Sequence, residues 1–480
     1  VELIHIGVFT VFGLLYLLVL PARWRTWALF IGSILAIYWL QPTLNIRWLD
    51  YSLPTATLAI SVLGWLITQQ PQEGGAKLAR EDWVALGVMT ALVLSLTLTR
   101  YITIPVELTS RPPETWQVAL CLLGLVSVIF ALRRRPIRTR VITVGLFFLV
   151  CLFIVLKTDG LSRWLSSILR TQTGQDVALA SSIDIQWLGF SYVAFRLIHM
   201  LRDRQNGLLP NLRLREYLTY VIFFPAYAAG PIDRVERFSE DYRHVGMLDG
   251  NRANFIALGF TRITIGLFKK FVVADSLAFF SLSAMTFGQA QSTGAVWVML
   301  YSYALRLYFD FSGYSDIAIG IGILFGIQLP ENFDRPYLKN NITAFWQSWH
   351  MTLSNWVRFY VYSPLSRALL KRKNKPHPNV IILICTVSTM LVIGLWHGVT
   401  LPFALWGLWH SIGLFVHKLW SDRTRKWYRE LKQHPRLLQL WQVTGVLLTF
   451  HFVLLGWVWF ALPDIEATVR AFGMLMGAVR

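Results

Sequence analysis

Val141-Ile-Thr-Val-Gly-Leu-Phe-Phe-Leu-Val-Cys-Leu-Phe-Ile-Val-Leu156 runs without a single charged side chain. A run of this kind approaches the roughly 20 residues that a helix needs to cross a bilayer. Lipid offers an unpaired amide no partner, so the run must be helical. Working outward, residues 3–20, 26–40, 83–98, 116–132 and 440–462 read the same way. Further apolar runs near 53–66, 185–200, 218–229, 255–271, 296–308, 380–396 and 403–415 bring the total to about a dozen. Composition agrees. Of 480 residues 55% are hydrophobic and 15% charged, with mean hydropathy +0.49, where a soluble domain would carry about 25% charged residues. The expected fold is an all-α polytopic transmembrane bundle of about eleven to thirteen spans.

The net charge is +19, from 45 basic and 26 acidic side chains. In a membrane protein this points to cytoplasmic loops rather than to nucleic acid, since such loops gather Lys and Arg. Arg23 and Arg25, then Arg133, Arg134, Arg135, Arg138 and Arg140, then Arg202, Arg204, Arg213 and Arg215 mark basic connections. They alternate with the loops 43–50, 100–114 and 157–184, which places the N-terminus outside a multi-pass plasma (inner) membrane protein. The first run has acidic Glu2 before it and Arg23 and Arg25 after it, which fits a permanent span better than a cleaved signal. Cys121, Cys151 and Cys385 sit in apolar runs with no C-x-x-C or metal-ligand spacing. No metal site is expected.

Two regions differ in character. Residues 1–156 form a ladder of plain spans. From 157 to 480, polar, aromatic, Gly and Pro residues interrupt the apolar runs, and irregular backbone at membrane depth is tolerated only where protein or a cavity shields it. The site is therefore expected in 157–480. Between the two regions, Leu161, Trp164, Leu165, Ile168 and Leu169 recur at helical spacing. They make a short amphipathic helix, suited to lie in the membrane interface or to pack under loops.

The polar residues concentrate between Tyr308 and His410. His397, in Gly394-Leu-Trp-His-Gly398, ends an apolar run where an ionisable group is costly. It is either a functional base or a structural histidine bonded between helices. Imidazole suits the first role, since its pKa near 6.5 lets it accept a proton near neutral pH. A second polar group, such as His350, would steady the reaction. His199, His410, His417 and His451 read as structural.

Across about Gly189 to Ser411 the chain resembles the membrane-bound O-acyltransferase superfamily, particularly its bacterial alginate O-acetylation branch. The blocks that carry the resemblance occur in order: Trp187-Leu-Gly-Phe-Ser-Tyr192, Phe224-Pro-Ala-Tyr-Ala-Ala-Gly-Pro-Ile232, Gly266-Leu-Phe-Lys-Lys270 with Ala274-Asp275, and Phe309-Asp-Phe-Ser-Gly-Tyr-Ser-Asp316. Pro330-Glu-Asn-Phe-Asp-Arg-Pro-Tyr337, Phe345-Trp through Trp349-His350 to Ser354, and Gly394–Gly398 complete them.

The resemblance implies spans around a central funnel or tunnel, with His397 as the catalytic histidine and His350 as its cytoplasmic-side companion. It implies no bound cofactor. The co-substrate would be acetyl-CoA, or another acyl thioester on an acyl carrier protein. The acceptor would be a hydroxyl of an exported polysaccharide or cell-envelope glycan, handled outside by a separate acetyltransferase or accessory protein. Arg335, Lys339, Arg358, Lys269 and Lys270 become candidates for the donor's phosphates, against the plainer reading of snorkelling loop cations. Asn332, Trp346, Trp349, Ser354 and Trp396 complete the candidate donor and substrate contacts. Asp310 and Asp316 are expected to brace helices. The sequence departs from the alginate branch at Ala344, at Phe359 and at Ser366–Lys375, which leaves acceptor and partner open. D-alanyl transfer to teichoic acid, lipid O-acylation, and a transporter with broken helices are the rival readings.

Overall fold

The computed structural model describes residues 2–69, 78–102, 108–110, 112–133, 139–462 and 464–478. Arg134, Arg135 and Arg138 of the second basic connection lie outside these residues. The described residues are helical, with no strand among them. Leu49–Thr68, Arg80–Arg100, Arg140–Lys157, Pro378–His397 and Pro435–Ala461 are long and apolar enough to cross a membrane. The chain divides into two compact units, Val1–Ile263 with Ile317–Leu329, and Thr264–Asp316 with Pro330–Arg480.

In the first unit the apolar run at 218–229 is not a span. It folds as the eight-residue helix Leu214–Val221 followed by a tight turn at Phe224–Ala226. Eight residues rise only about 12 Å, far less than a bilayer. The cause is local. Pro225 removes a donor, and the buried Arg196 guanidinium donates to Val221 O at 2.7 Å and Ala226 O at 2.9 Å. Carbonyls that a continuing helix would have satisfied are taken by a side chain instead. The run at 185–200 likewise turns helical only at Phe190, in Phe190–Gln205. Before it, Gln41 bridges the loop, its Nε2 donating to Gln186 O at 2.7 Å and its Oε1 accepting from Leu188 N at 3.2 Å.

The amphipathic segment is the helix Asp159–Gln172. Its expected apolar face divides. Leu165 and Leu169 pack on Ile46, Leu49, Leu53 and Ile185, while Leu161 and Trp164 are exposed. The line that is buried is polar: Ser162, Ser166 and Arg170. Its anchor is Asp184, whose Oδ2 accepts from Arg170 Nε at 2.8 Å, Ser166 Oγ at 2.7 Å and Ser181 N at 3.2 Å, with Asn45 on Oδ1 at 3.3 Å.

The second unit is organised by an antiparallel hairpin, Pro378–His397 and Leu401–Arg423. It closes without room for side chains at two crossings. A Cβ on Gly407 would stand 2.7 Å from Met390 O, and one on Gly394 would collide with Phe403 O. One end carries His397, where the ring of Phe460 from Pro435–Ala461 lies 4.6 Å away, centroid to centroid. At the other end Lys418 Nζ donates to Asn379 Oδ1 at 2.8 Å.

Asp184 supplies a test. Burial alone would raise its pKa, but the bonds from Arg170, Ser166, Asn45 and Ser181 outweigh it and hold the carboxyl at about 2. A folded value below the unfolded one, near 3.9, stabilises the fold above that value. The contribution is lost as pH falls through the folded value. Asp184→Ala strands the buried Arg170, a change worth about 3–5 kcal/mol. Thermal melts of purified protein should show a lower midpoint at pH 7, and a gap from wild type that narrows below about pH 4.

Candidate active site around His350 and His397

His350 stands between the short helices Ile342–Trp346 and Met351–Val357. Its φ of 43° lies in the left-handed region, a conformation that costs a bulky residue about 1–3 kcal/mol and needs the surroundings to hold it. Asn332 does much of that holding. Its carbonyl O accepts from Met351 N at 2.9 Å. Its side-chain Oδ1 accepts from Thr352 Oγ1 at 2.8 Å and from Thr352 N at 3.4 Å, and lies 3.0 Å from His350 Nδ1. On the other side Asn332 Nδ2 donates to Ser315 Oγ at 3.3 Å.

These contacts fix a tautomer. The Thr352 amide can only donate, so the Asn332 atom facing it is the oxygen. An amide oxygen can only accept, so the proton of the neutral His350 ring sits on Nδ1 and Nε2 keeps its lone pair. That Nε2 is buried, with no hydrogen-bond partner among the described residues. His350 is thus held as a potential base aimed by Asn332.

One indole packs near both histidines. The Trp396 ring lies 6.1 Å from His350 and 4.4 Å from His397. His397 is further enclosed by Phe403, Trp406 and Phe460, at 5.8, 6.0 and 4.6 Å. The ring of Phe311 packs edge-on to His350 at 4.6 Å.

A cavity of about 540 Å³ lies along the helix Met351–Val357 that follows His350, and neither histidine is among its lining residues. Trp346, Ser354 and Arg358 line it together, as do Met351, next to His350, and Lys418. Arg358 opens a π-helical stretch, Arg358–Tyr362, an irregularity often found at functional sites. One wall is a stripe of Pro378–His397: Ile382, Thr386, Thr389, Met390 and Ile393. That spacing follows a single helix face, and four residues beyond Ile393 the same face reaches His397.

Other candidates are placed differently. Lys269 and Lys270 pair with Asp316 (2.6 Å) and Asp310, and Lys339 with Asp334 (2.7 Å). These ammonium groups are neutralised by the chain itself. Arg335 is exposed, with φ 45°. Trp349 belongs to an aromatic cluster with Phe333, Phe345, Tyr337 and Trp457. His199, His410, His417 and His451 approach Tyr220, Trp346, Thr343 and Tyr301 respectively within hydrogen-bond distance. The Trp346 indole, a donor only, gives its proton to His410 Nδ1, so His410 braces a cavity wall.

Sequence reasoning did not find Trp406, Phe460 or the cavity stripe. The signal for the stripe was present: Thr386 and Thr389, two hydroxyls three residues apart in an apolar span, lie on the face of His397.

The sequence matches the membrane-bound O-acyltransferase (MBOAT) family over residues 122–458. The chain belongs to this family. The reaction class it carries is acyl transfer to oxygen. Among relatives, it is 32% identical to a teichoic acid D-alanyltransferase of Streptococcus thermophilus, over 58% of this chain and 68% of that one. It is 37% identical to a peptidoglycan O-acetyltransferase of Helicobacter pylori, over 55% of this chain and 46% of the relative. A probable alginate O-acetylase, AlgI, of Pseudomonas syringae pv. tomato is 32% identical over 60% of this chain and 51% of its own. The chain therefore spans about half the length of the last two. Equal identity to the alginate and D-alanyl relatives singles out neither branch of this MBOAT group.

The tautomer is open to measurement. Asn332→Leu deprives the His350 Nδ1–H and Thr352 of their acceptor, which should cost about 1–3 kcal/mol of stability. In ¹⁵N-histidine spectra, the resonances lost in His350→Gln identify this ring. Asn332→Leu should shift them from the Nδ1–H form toward a mixture, and unchanged shifts would refute the assignment.

Proposed function

We propose that this chain transfers an acyl group, acetyl in the first instance, from a cytoplasmic thioester to a hydroxyl of an exported polysaccharide or cell-envelope glycan. The observation that carries the reading is the cavity whose helical stripe leads to His397. Its mostly apolar walls, Thr hydroxyls and Arg358 suit a long, partly polar thioester arm with a phosphate at its outer end. The basic segment Lys371–Lys375 precedes the helix Pro378–His397, whose first turn carries Asn379, the partner of Lys418. The three relatives named above act, by their names, on teichoic acid, peptidoglycan and alginate, which supports an envelope glycan as acceptor. A separate protein outside the membrane would present it, and the chain would reside in the inner membrane with its N-terminus outside.

In this reading His397 takes the acceptor's hydroxyl proton as the oxygen attacks the thioester carbonyl carbon. The carbon–sulfur bond then breaks, and the departing thiolate recovers the proton. His350 Nε2, held with its lone pair free by Asn332, assists as a second base. Asn332 is a positioning residue, and Trp346, Ser354 and Arg358 contact the donor. Trp396 and Trp406 keep water from the reacting carbonyl, which would otherwise be hydrolysed.

A D-alanyl thioester on a carrier protein is the competing donor, favoured by the match over 68% of the teichoic acid enzyme. Radiolabelled acetyl-CoA and D-alanyl carrier protein, offered separately to membranes containing candidate glycans, distinguish the two. Label should reach glycan from acetyl-CoA with wild type, and His397→Ala should lower the rate about 10²–10⁴-fold. Transfer from the carrier alone would replace acetyl by D-alanyl, and a fully active His397→Ala would remove His397 from the chemistry. Arg358→Ala should raise the donor's KM with little change in kcat, because a phosphate contact is made equally in ground and transition states.

A further inference from the structure

The helix Asp159–Gln172 buries a polar line beside Leu165 and Leu169 and leaves other large apolar residues outside. Its polar line, Ser162, Ser166 and Arg170, faces the protein. What remains outside divides into two flanks. Leu161, Trp164 and Ile168 recur at helical spacing on one, and Arg163, Ser167 and Thr171 on the other. The loop that follows adds exposed Val177, Leu179 and Ile183, the last two 65% and 64% accessible. Large apolar residues from consecutive elements are thus left uncovered together, which marks an interaction surface rather than ordinary exposure.

The position of this surface along the membrane normal follows from the preceding span. Arg140–Lys157 has 18 residues, a rise of about 27 Å against a hydrocarbon core of about 30 Å. The chain therefore leaves the core near Lys157, and the next helix starts at headgroup level. Only 11% of that span is buried within the protein. Its Val144, Phe147, Phe148, Val150 and Ile154 are exposed, as side chains facing lipid would be. Ser162 Oγ donates to Val155 O at 2.9 Å and fixes the bend between the two helices. The apolar surface thus continues, without a break in the chain, from a lipid-facing span to the level where tryptophan prefers to sit.

We propose that Asp159–Gln172 and the loop to Asp184 form a platform lying in the membrane interface. Leu161, Trp164, Leu179 and Ile183 enter the boundary between headgroups and acyl chains of one leaflet. The Arg163–Ser167 flank faces water, and the Asp184 cluster ties the platform to the bundle from behind. The occupant of the surface is the bilayer itself, not a partner protein.

Photocrosslinking tests this in the full chain within native membranes. p-Benzoylphenylalanine replaces Leu161, Trp164 or Leu179 on the apolar side, and Arg163 or Ser167 on the polar flank. Mass spectrometry after irradiation should find phospholipid adducts at the first three positions and none at the last two. Adducts to a protein at Leu161, Trp164 and Leu179 would overturn the proposal in favour of a docking face. The absence of any adduct there would overturn it in favour of a solvated one. A second measurement needs no foreign side chain. Trp164→Glu and Leu179→Glu, both at exposed positions, should lower the melting midpoint in lipid nanodiscs more than in detergent-free amphipol. An equal effect in both would also overturn the proposal.

Discussion

A backbone amide that leaves a helix inside a membrane has no water to turn to, and this chain leaves helices repeatedly. Three of these departures are met by a buried side chain that makes several hydrogen bonds. Gln41 bridges 186 and 188 with both ends of its amide. Arg196 spreads its guanidinium over Val221 and Ala226. Asn332 serves Met351, Thr352 and His350. Remove that supply and the irregular segments lose their reason to hold a single shape. The placement of His350 depends on the same constraint, since its left-handed φ survives only because Asn332 secures the residues on its C-terminal side.

Around the two histidines the physical logic is one of enclosure. Aromatic rings pack around His397 on several sides, from Phe403, Trp406 and Phe460. Asp310 and Asp316 each hold a lysine. The cavity joins Arg358 to a largely apolar wall of Ile382, Met390 and Ile393, while Lys418 is held by Asp422.

Much of this was legible in the sequence, for identifiable reasons. Spans such as 141–156 and 380–396 announce themselves because the bilayer imposes a length and forbids charge. His397 announced itself by being ionisable at the end of such a span. The run at 218–229 misled because hydropathy counts apolar residues and does not see that Arg196, some 20 residues earlier, would seize its carbonyls. Pro225 was the available warning. Lys269 and Lys270 looked available to phosphate because their partners lie some 40 residues away, brought close by the long helix Thr293–Leu324. The role of Asn332 was out of reach for a deeper reason: a tautomer is decided by which atom faces which, and only coordinates give that.

The cavity lined by Trp346 and Arg358 has a further property. All its lining residues, from Thr343 to Lys418, come from one uninterrupted stretch of chain. A pocket assembled this way is inherited whole. Recombination or drift in the remaining sequence can alter what meets the far side of His397 without redrawing these walls. Chimaeras exchanging residues 343–418 between relatives would therefore be expected to fold more readily than those cut inside this stretch.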